Sequence, residues 1–155
     1  MKIEFLFVGK TSEKYLAQGI DIYLKRLNRY VPSSIIVIPS SAESGNRKNE
    51  LKKESESILK KISERDFVIV LDERGQEFSS IQLSGLMNKS MLNSIPKIIF
   101  IVGGPYGISE LISARANQVV SFSKFTFTHQ MIRIFLLEQI YRSMTILRNE
   151  PYHHS

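Results

Sequence analysis

The chain has no cysteine. That excludes disulfides, thiolate metal sites and cysteine nucleophiles, and it fits a cytoplasmic protein. Long apolar runs are missing too. The longest, such as residues 98–102, fall far short of the ~20 residues that span a bilayer, so no membrane partner is expected. The opening stretch Met1-Lys2-Ile3-Glu4-Phe5-Leu6-Phe7-Val8-Gly9 carries an acidic residue inside its apolar run and lacks a small-residue cleavage site. It reads as a core strand and not as a signal peptide. Several catalytic signatures are absent as well. Gly9-Lys10-Thr11 resembles the end of a P-loop, but that motif needs a glycine five residues earlier, where Glu4 stands. Gly103-Gly104-Pro105-Tyr106-Gly107 is not GxGxxG, and no acidic residue follows about 20 residues later at a strand end. There is no GxSxG elbow. His153 and His154 are adjacent in the tail, with no HxxxH pattern and no cysteine, so no metal is expected.

What remains is the pattern of one α/β domain over residues 1–155. A 43% apolar fraction is ordinary for a globular protein, and there are no repeats and no linker. The net charge is +6 and the pI about 9.6. Residues 1–66 contribute +4, residues 67–120 are neutral, and residues 121–155 contribute +2. A polyanionic partner such as RNA fits this excess, and so does an ordinary basic surface. Strands are predicted at 2–8, 34–38, 67–71, 98–102 and 119–122. Between them, helices are predicted from Thr11 or Ser12 to about Tyr30, over 47–65, from a Ser79 or Ser80 cap through Met91, from Ser109 over a short stretch, and over 130–147. Residues 39–46 read as a polar turn, Asp72-Glu73-Arg74-Gly75 as a turn away from the third strand, and 149–155 as a tail. Strands separated by helices imply a mostly parallel sheet flanked by helices.

Chemistry concentrates between Ile98 and His129. A buried strand runs into the glycine-rich turn Gly103–Gly107, and a second ends in Ser121-Phe122-Ser123-Lys124-Phe125-Thr126-Phe127-Thr128-His129. Two such loops at the carboxyl ends of parallel strands can build one pocket. The last helix is apolar on nearly every face yet carries Arg133, Glu138 and Arg142. It is expected to touch both its own core and another subunit, its charges either pairing internally or forming a polar site at that interface. In the 47–61 helix, Glu50, Glu54 and Glu56 interleave with the basic residues. Intrahelical pairing and contact with an RNA backbone both fit.

Together these residues resemble the SPOUT-class methyltransferases, and within them the ribosomal RNA large subunit methyltransferase H family. The likeness is carried by Val70-Leu71-Asp72, Ile101-Val102-Gly103-Gly104-Pro105-Tyr106-Gly107, Phe122 to Phe127, His129, Arg133, Glu138-Gln139-Ile140-Tyr141-Arg142 and the ending Pro151-Tyr152-His153, and it covers the whole chain. The resemblance implies a single SPOUT domain with a deep trefoil knot over roughly 67–147 and a substrate tail over 148–155. It implies S-adenosylmethionine bound by loops at Leu71, at Gly103, and at Phe122, Ser123, Lys124, Phe125, Thr126 and Phe127. It also implies a homodimer acting on N3 of a pseudouridine in 23S ribosomal RNA of assembled ribosomes, without a metal. One position departs: the family commonly has proline before the histidine, and here Thr128 stands there. A less rigid loop is expected, since proline would fix φ.

On that resemblance the substrate-facing residues are Arg133, Arg142, Tyr152 and His153. Arginine can grip phosphate or stack on a base, tyrosine can hold a flipped base, and a histidine can take a proton near neutral pH. The catalytic set adds His129, which orders the cofactor loop, and Glu138, which holds an arginine. The rival readings are a SPOUT ribose 2′-O-methyltransferase of transfer RNA, although its Asn-Gly…Arg signature is missing near the N-terminus, a non-catalytic RNA- or nucleotide-binding module, and a structural α/β dimer with no small ligand.

Overall fold

A strand buried at every position after its first residue organises the molecule: β1 (Lys2–Val8). Such continuous burial needs cover on both faces, which parallel sheets receive from their crossover helices. The computed structural model, which describes residues 1–40 and 45–154, adds α1 (Lys14–Leu27), β2 (Ser33–Ile38), α2 (Arg47–Leu59), β3 (Phe67–Glu77), α3 (Ser80–Leu92), β4 (Lys97–Val102), α4 (Glu110–Arg115), β5 (Gln118–Ser121) and α5 (Met131–Leu147). The strands form one sheet in the order β2-β1-β4-β3-β5, and every pair is parallel. The α/β architecture with a parallel sheet is as the sequence predicted.

Alternation along β4 shows how the sheet feeds two cores. Ile98, Phe100 and Val102 join one core with residues of α1, α3 and α5, while Ile99 and Ile101 join the other with Ile58 of α2 and Ile112 of α4. On the first face, α5 packs against both α1 and α3. The rings of Phe5 and Phe100, neighbours in register, stack at 5.6 Å. At the amino ends of the strands, Lys97 Nζ bridges Glu4 Oε2 and Asp66 Oδ2, each at 3.1 Å. Burial alone would raise both carboxyls. Hydrogen bonds from Lys2 and Lys97 to Glu4, and from Ser63 and Lys97 to Asp66, outweigh it and hold both below the usual carboxylate range.

Four expectations change. First, α1 starts at Lys14 without a side-chain cap, because both expected caps are used elsewhere. Ser12 Oγ accepts from Gln130 Nε2 at 2.9 Å, and Thr11 Oγ1 accepts from Arg133. Second, β3 does not end at Leu71. Leu71 and Gln76 both pair with Val120, so residues 72–75 bulge out and the chain then returns to the ladder. Third, α2 stops at Leu59 and not at Arg65, with a turn following in which Asp66 Oδ2 accepts the Ser63 N–H at 2.7 Å. Fourth, Thr128 does more than loosen its loop. Its hydroxyl accepts the Met131 N–H at 3.1 Å, a capping bond to the first turn of α5 that proline has no hydroxyl to make. The polar turn expected over 39–46 includes residues 41–44, which lie outside the described residues, as does Ser155 of the tail.

Candidate active site

The carboxyl ends of β3, β4 and β5 open into a cleft of about 1410 Å³, whose lining includes Leu71, Val102, Gly103, Val120 and Ser121. A ligand site is expected at such strand ends. One wall is the glycine turn. A Cβ on Gly103 would lie 2.3 Å from the Gly107 carbonyl oxygen, so only glycine lets the loop fold this tightly against itself. The opposite wall is the segment after β5, shaped by short polar turns. Ser121 Oγ donates to the Ser123 carbonyl at 2.8 Å, and Ser123 Oγ accepts from the Phe125 N–H at 3.0 Å. Thr126 Oγ1 donates to Glu73 Oε2 at 2.8 Å and so ties this segment to the β3 bulge. In that bulge Asp72 accepts two bonds from the Arg74 guanidinium, both at 2.9 Å, and these hold the Asp72 carboxyl below its usual range. The N-terminal half of α2 closes the remaining side with Arg47, Lys48 and Lys52.

Of the loop residues predicted to hold the cofactor, Leu71, Gly103, Phe122, Ser123, Phe125, Thr126 and Phe127 line this cleft, and Lys124 does not. Lys124 is exposed. His129 also lines it, at the approach to α5. Burial, then the nearby Arg133 charge, push its imidazole below the ordinary histidine value.

Arg133 calls for a correction. Predicted to face the substrate, its side chain is fully buried. It donates to the Val8 carbonyl at 2.6 Å and to Thr11 Oγ1 at 2.9 Å, its guanidinium carbon sits 5.0 Å from the Phe7 ring centre, and its Nε has no partner among the described residues. Burial draws it down to about 10, so it stays charged at neutral pH. It clamps the end of β1 to the first turn of α5.

The remaining predicted residues form a second cluster further along α5. Arg142 donates to Glu138 Oε1 at 2.5 Å, the internal pair that the helix spacing allowed. Tyr152 OH donates to the same oxygen at 3.0 Å. Arg142 lies 4.7 Å from the centre of the Tyr152 ring, which meets Tyr141 edge-on at 4.8 Å. Burial, then hydrogen bonds with Tyr23 and Glu138, raise the Tyr152 phenol above its ordinary value, so it acts as a donor at neutral pH. Tyr30 donates to Glu150, which fastens the tail again. His153 is half-buried, and its Nδ1 has no partner among the described residues. The tail is thus docked on α1 and α5. None of Glu138, Arg142, Tyr152 and His153 lines the cleft. His129 and Arg142 are thirteen residues apart, about 20 Å at helical rise. Within one chain, the predicted site is two half-sites at opposite ends of α5.

Sequence reasoning missed the Asp72–Arg74 pair and the Thr11 and Ser12 contacts to α5. The first had a local signal, an acid and a base two residues apart in a glycine-ended turn. The second had none, because its partners lie about 120 residues apart in the chain.

A family model described as Predicted SPOUT methyltransferase matches residues 1–153. The chain is 45% identical to a Parabacteroides distasonis protein named Ribosomal RNA large subunit methyltransferase H, with 99% of each chain covered. It is 42% identical to a Geobacter metallireducens protein of the same name, with 100% of each covered. Among solved structures, a probable methyltransferase from Bordetella pertussis Tohama I superposes with a TM-score of 0.58 at 7% identity, over 92% of this chain and 94% of that one. A probable methylase family protein from Haemophilus influenzae gives 0.53 at 10% identity, over 99% of this chain and 70% of that one. At such identities the structures bear on the fold alone.

Proposed function

Since this chain belongs to the SPOUT methyltransferase family, we propose that it methylates N3 of a pseudouridine in 23S ribosomal RNA, taking the methyl group from S-adenosylmethionine and acting in the cytoplasm on assembled ribosomes. The cleft at the carboxyl ends of β3, β4 and β5 is the observation that carries this reading. Its Gly103 turn folds onto itself as only glycine allows and so shapes one wall of the cleft, and the Glu73 and Glu110 carboxylates on its rim suit a cationic sulfonium. Leu71, Gly103 and the 122–127 segment hold the cofactor, within a C-terminal region (67–147) that threads as a deep trefoil knot. When bound, S-adenosylmethionine supplies an activated methyl group.

The protein's own part is to orient the base and manage its proton. Pseudouridine N3 carries a hydrogen and is a poor nucleophile until it leaves. His153 takes that proton, Arg142 stabilises the negative charge left on the base, and Tyr152 stacks on the base or donates to it. Glu138 holds both Arg142 and Tyr152 in place. His129 and Arg133 act at the cleft end, ordering the cofactor loop and the start of α5.

The half-sites meet when two copies pair, the 148–155 tail of one reaching the cleft of the other. The surface beside the α1–α5 seam suits such pairing. The seam is tight, since a Cβ on Gly19 would lie 2.2 Å from Ile134 Cδ1. Tyr15 and Ile22 flank Gly19, Met131 and Phe135 flank Ile134, and all four are exposed although apolar or aromatic.

The test is methyl transfer from labelled S-adenosylmethionine to 70S ribosomes lacking this modification, with free ribosomal and transfer RNA as controls. Label recovered as N3-methylpseudouridine from ribosomes alone is the expected result. Label in a transfer RNA ribose would overturn the reading.

A further inference from the structure

We propose that the outer stripe of α2, made by Arg47, Lys48 and Lys52, is a docking surface for the phosphate backbone of the RNA that enters the cleft. This rests on the ribosomal RNA reading above and adds to it the surface that receives the strand.

The helix is rich in both signs of charge, and the structure separates them. Glu50 and Glu54 are buried on its inner side with Ser55 and Ile58. Glu54 reaches beneath the glycine loop, where its Oε1 lies 3.8 Å from the position of a Cβ on Gly104 and accepts from Ser40 Oγ at 3.4 Å. Two of the three glutamates that in sequence seem to balance the lysines are therefore turned inward. Arg47, Lys48 and Lys52 are exposed and line the cleft rim. Lys48 and Lys52 are one helical turn apart, about 6 Å along the axis. Glu56 continues the same stripe one turn further on, so the cations outnumber the exposed carboxylate at the end nearer the glycine loop. The ion pairs found among the described residues include neither Lys48 nor Lys52.

The other acids of the cleft come from the β3 bulge and from the start of α4. Asp72 is neutralised by Arg74, Glu73 accepts from Thr126, and Glu110 opens α4. Carboxylates thus gather at the β3 bulge and the start of α4, and cations outnumber the one exposed carboxylate of the α2 stripe. A polyanionic strand fits only the second.

Two further features connect this stripe to the chemistry. The Arg47 guanidinium carbon lies 6.0 Å from the ring centre of Tyr106, within the glycine turn itself. A hydroxyl–hydroxyl bond of 2.6 Å between Ser55 and Ser109 fixes α2 to the cap of α4. A strand seated on α2 therefore lies against the loop that forms the cofactor wall. The volume is also larger than one ligand requires: about 1410 Å³, against roughly 300–1,000 Å³ for ordinary small-molecule pockets. Space is left along α2 for a nucleotide.

The experiment compares the parent protein, the double variant K48Q/K52Q, and the control Lys89→Gln on α3. Binding to 70S ribosomes is measured between about 50 and 200 mM salt, alongside S-adenosylmethionine binding and single-turnover methyl transfer at saturating ribosomes. The double variant is expected to bind ribosomes about tenfold more weakly, with a log–log salt slope smaller by about 1.5. Its loss of transfer rate at saturating ribosomes is expected to be smaller than its loss of ribosome affinity, and K89Q is expected to match the parent in everything. Unchanged ribosome affinity and slope in K48Q/K52Q would overturn the proposal. So would an equal loss in K89Q, which would mean that any surface lysine contributes. If the parent binds ribosomes but never methylates them, the reaction assigned above fails, while the slope of K48Q/K52Q still decides this surface.

Discussion

The two ends of α5 solve different problems with different materials. The cleft end is built from backbone: a glycine turn folded onto itself, short serine and threonine turns, and a buried arginine bonded to a carbonyl and a hydroxyl and, among the described residues, to no carboxylate. The far end is built from side chains: a glutamate shared by an arginine and a tyrosine, inside a group of four tyrosines. The contrast fits the tasks proposed for them. The cofactor proposed for the cleft needs a loop of fixed shape, and the Gly103 turn keeps its shape only while no side-chain atom is added to it. A base that must lose a proton needs oriented charges and donors, which only side chains supply. The cleft end is therefore intolerant of volume, and the far end of changes in charge.

Gly103→Ala puts the largest strain on this contrast. Its Cβ would meet the Gly107 oxygen at 2.3 Å, so cofactor binding is expected to fall at least about a hundredfold and methyl transfer with it. Isothermal titration with S-adenosylmethionine measures the first. Retained far-UV circular dichroism and an intact dimer distinguish a blocked loop from an unfolded chain. At the other end, Arg142→Ala should leave cofactor affinity unchanged and slow single-turnover transfer about a hundredfold or more. A loss of cofactor binding in that variant would erase the division of labour.

Arg133→Met sharpens the comparison differently. Burial of an unpaired guanidinium is costly, and replacing buried charge with apolar atoms of similar volume is often neutral or stabilising. Stability is expected to stay within about 1 kcal/mol of the parent, read from urea unfolding. Cofactor affinity should nonetheless drop about tenfold, because the Val8–Thr11 turn is no longer tied to α5. A smaller effect comes from His129, whose folded-state value is lowered by burial and by Arg133. The neutral imidazole is the form favoured by folding. Its contribution is complete above the unfolded histidine value near 6.5 and is lost as pH falls through the lowered folded value. His129→Gln should flatten the dependence of stability on pH below about 6.5, with little change at pH 8.

Much of the fold was legible because parallel strands buried on both faces read as continuous apolar runs, as at residues 67–71 and 98–102. The serine caps of α3 and α4 were legible for a similar reason, since capping is decided within four residues. What could not be read depends on distant partners. Thr11 and Ser12 look like caps until Arg133 and Gln130 claim them. Glu50 and Glu54 look like solvated charges on an exposed helix until the fold buries them on the inner side of α2. Arg133 resembled a substrate ligand because sequence gives a residue's chemistry without its direction. The loops of the site were recognisable by motif, but their distance from Arg142 and the tail appears only when α5 is seen at full length.

The two half-sites are proposed to work together only between copies. The direct measurement mixes Gly103→Ala protein with Arg142→Ala protein, lets subunits exchange, and assays methyl transfer to 70S ribosomes. A mixed dimer then holds one intact cleft facing one intact tail, and random exchange makes half of the dimers mixed. Activity is expected to recover from near zero to about a quarter of the parent value. If the mixture stays as inactive as its components although exchange is verified, each chain completes its own site and the claim is wrong.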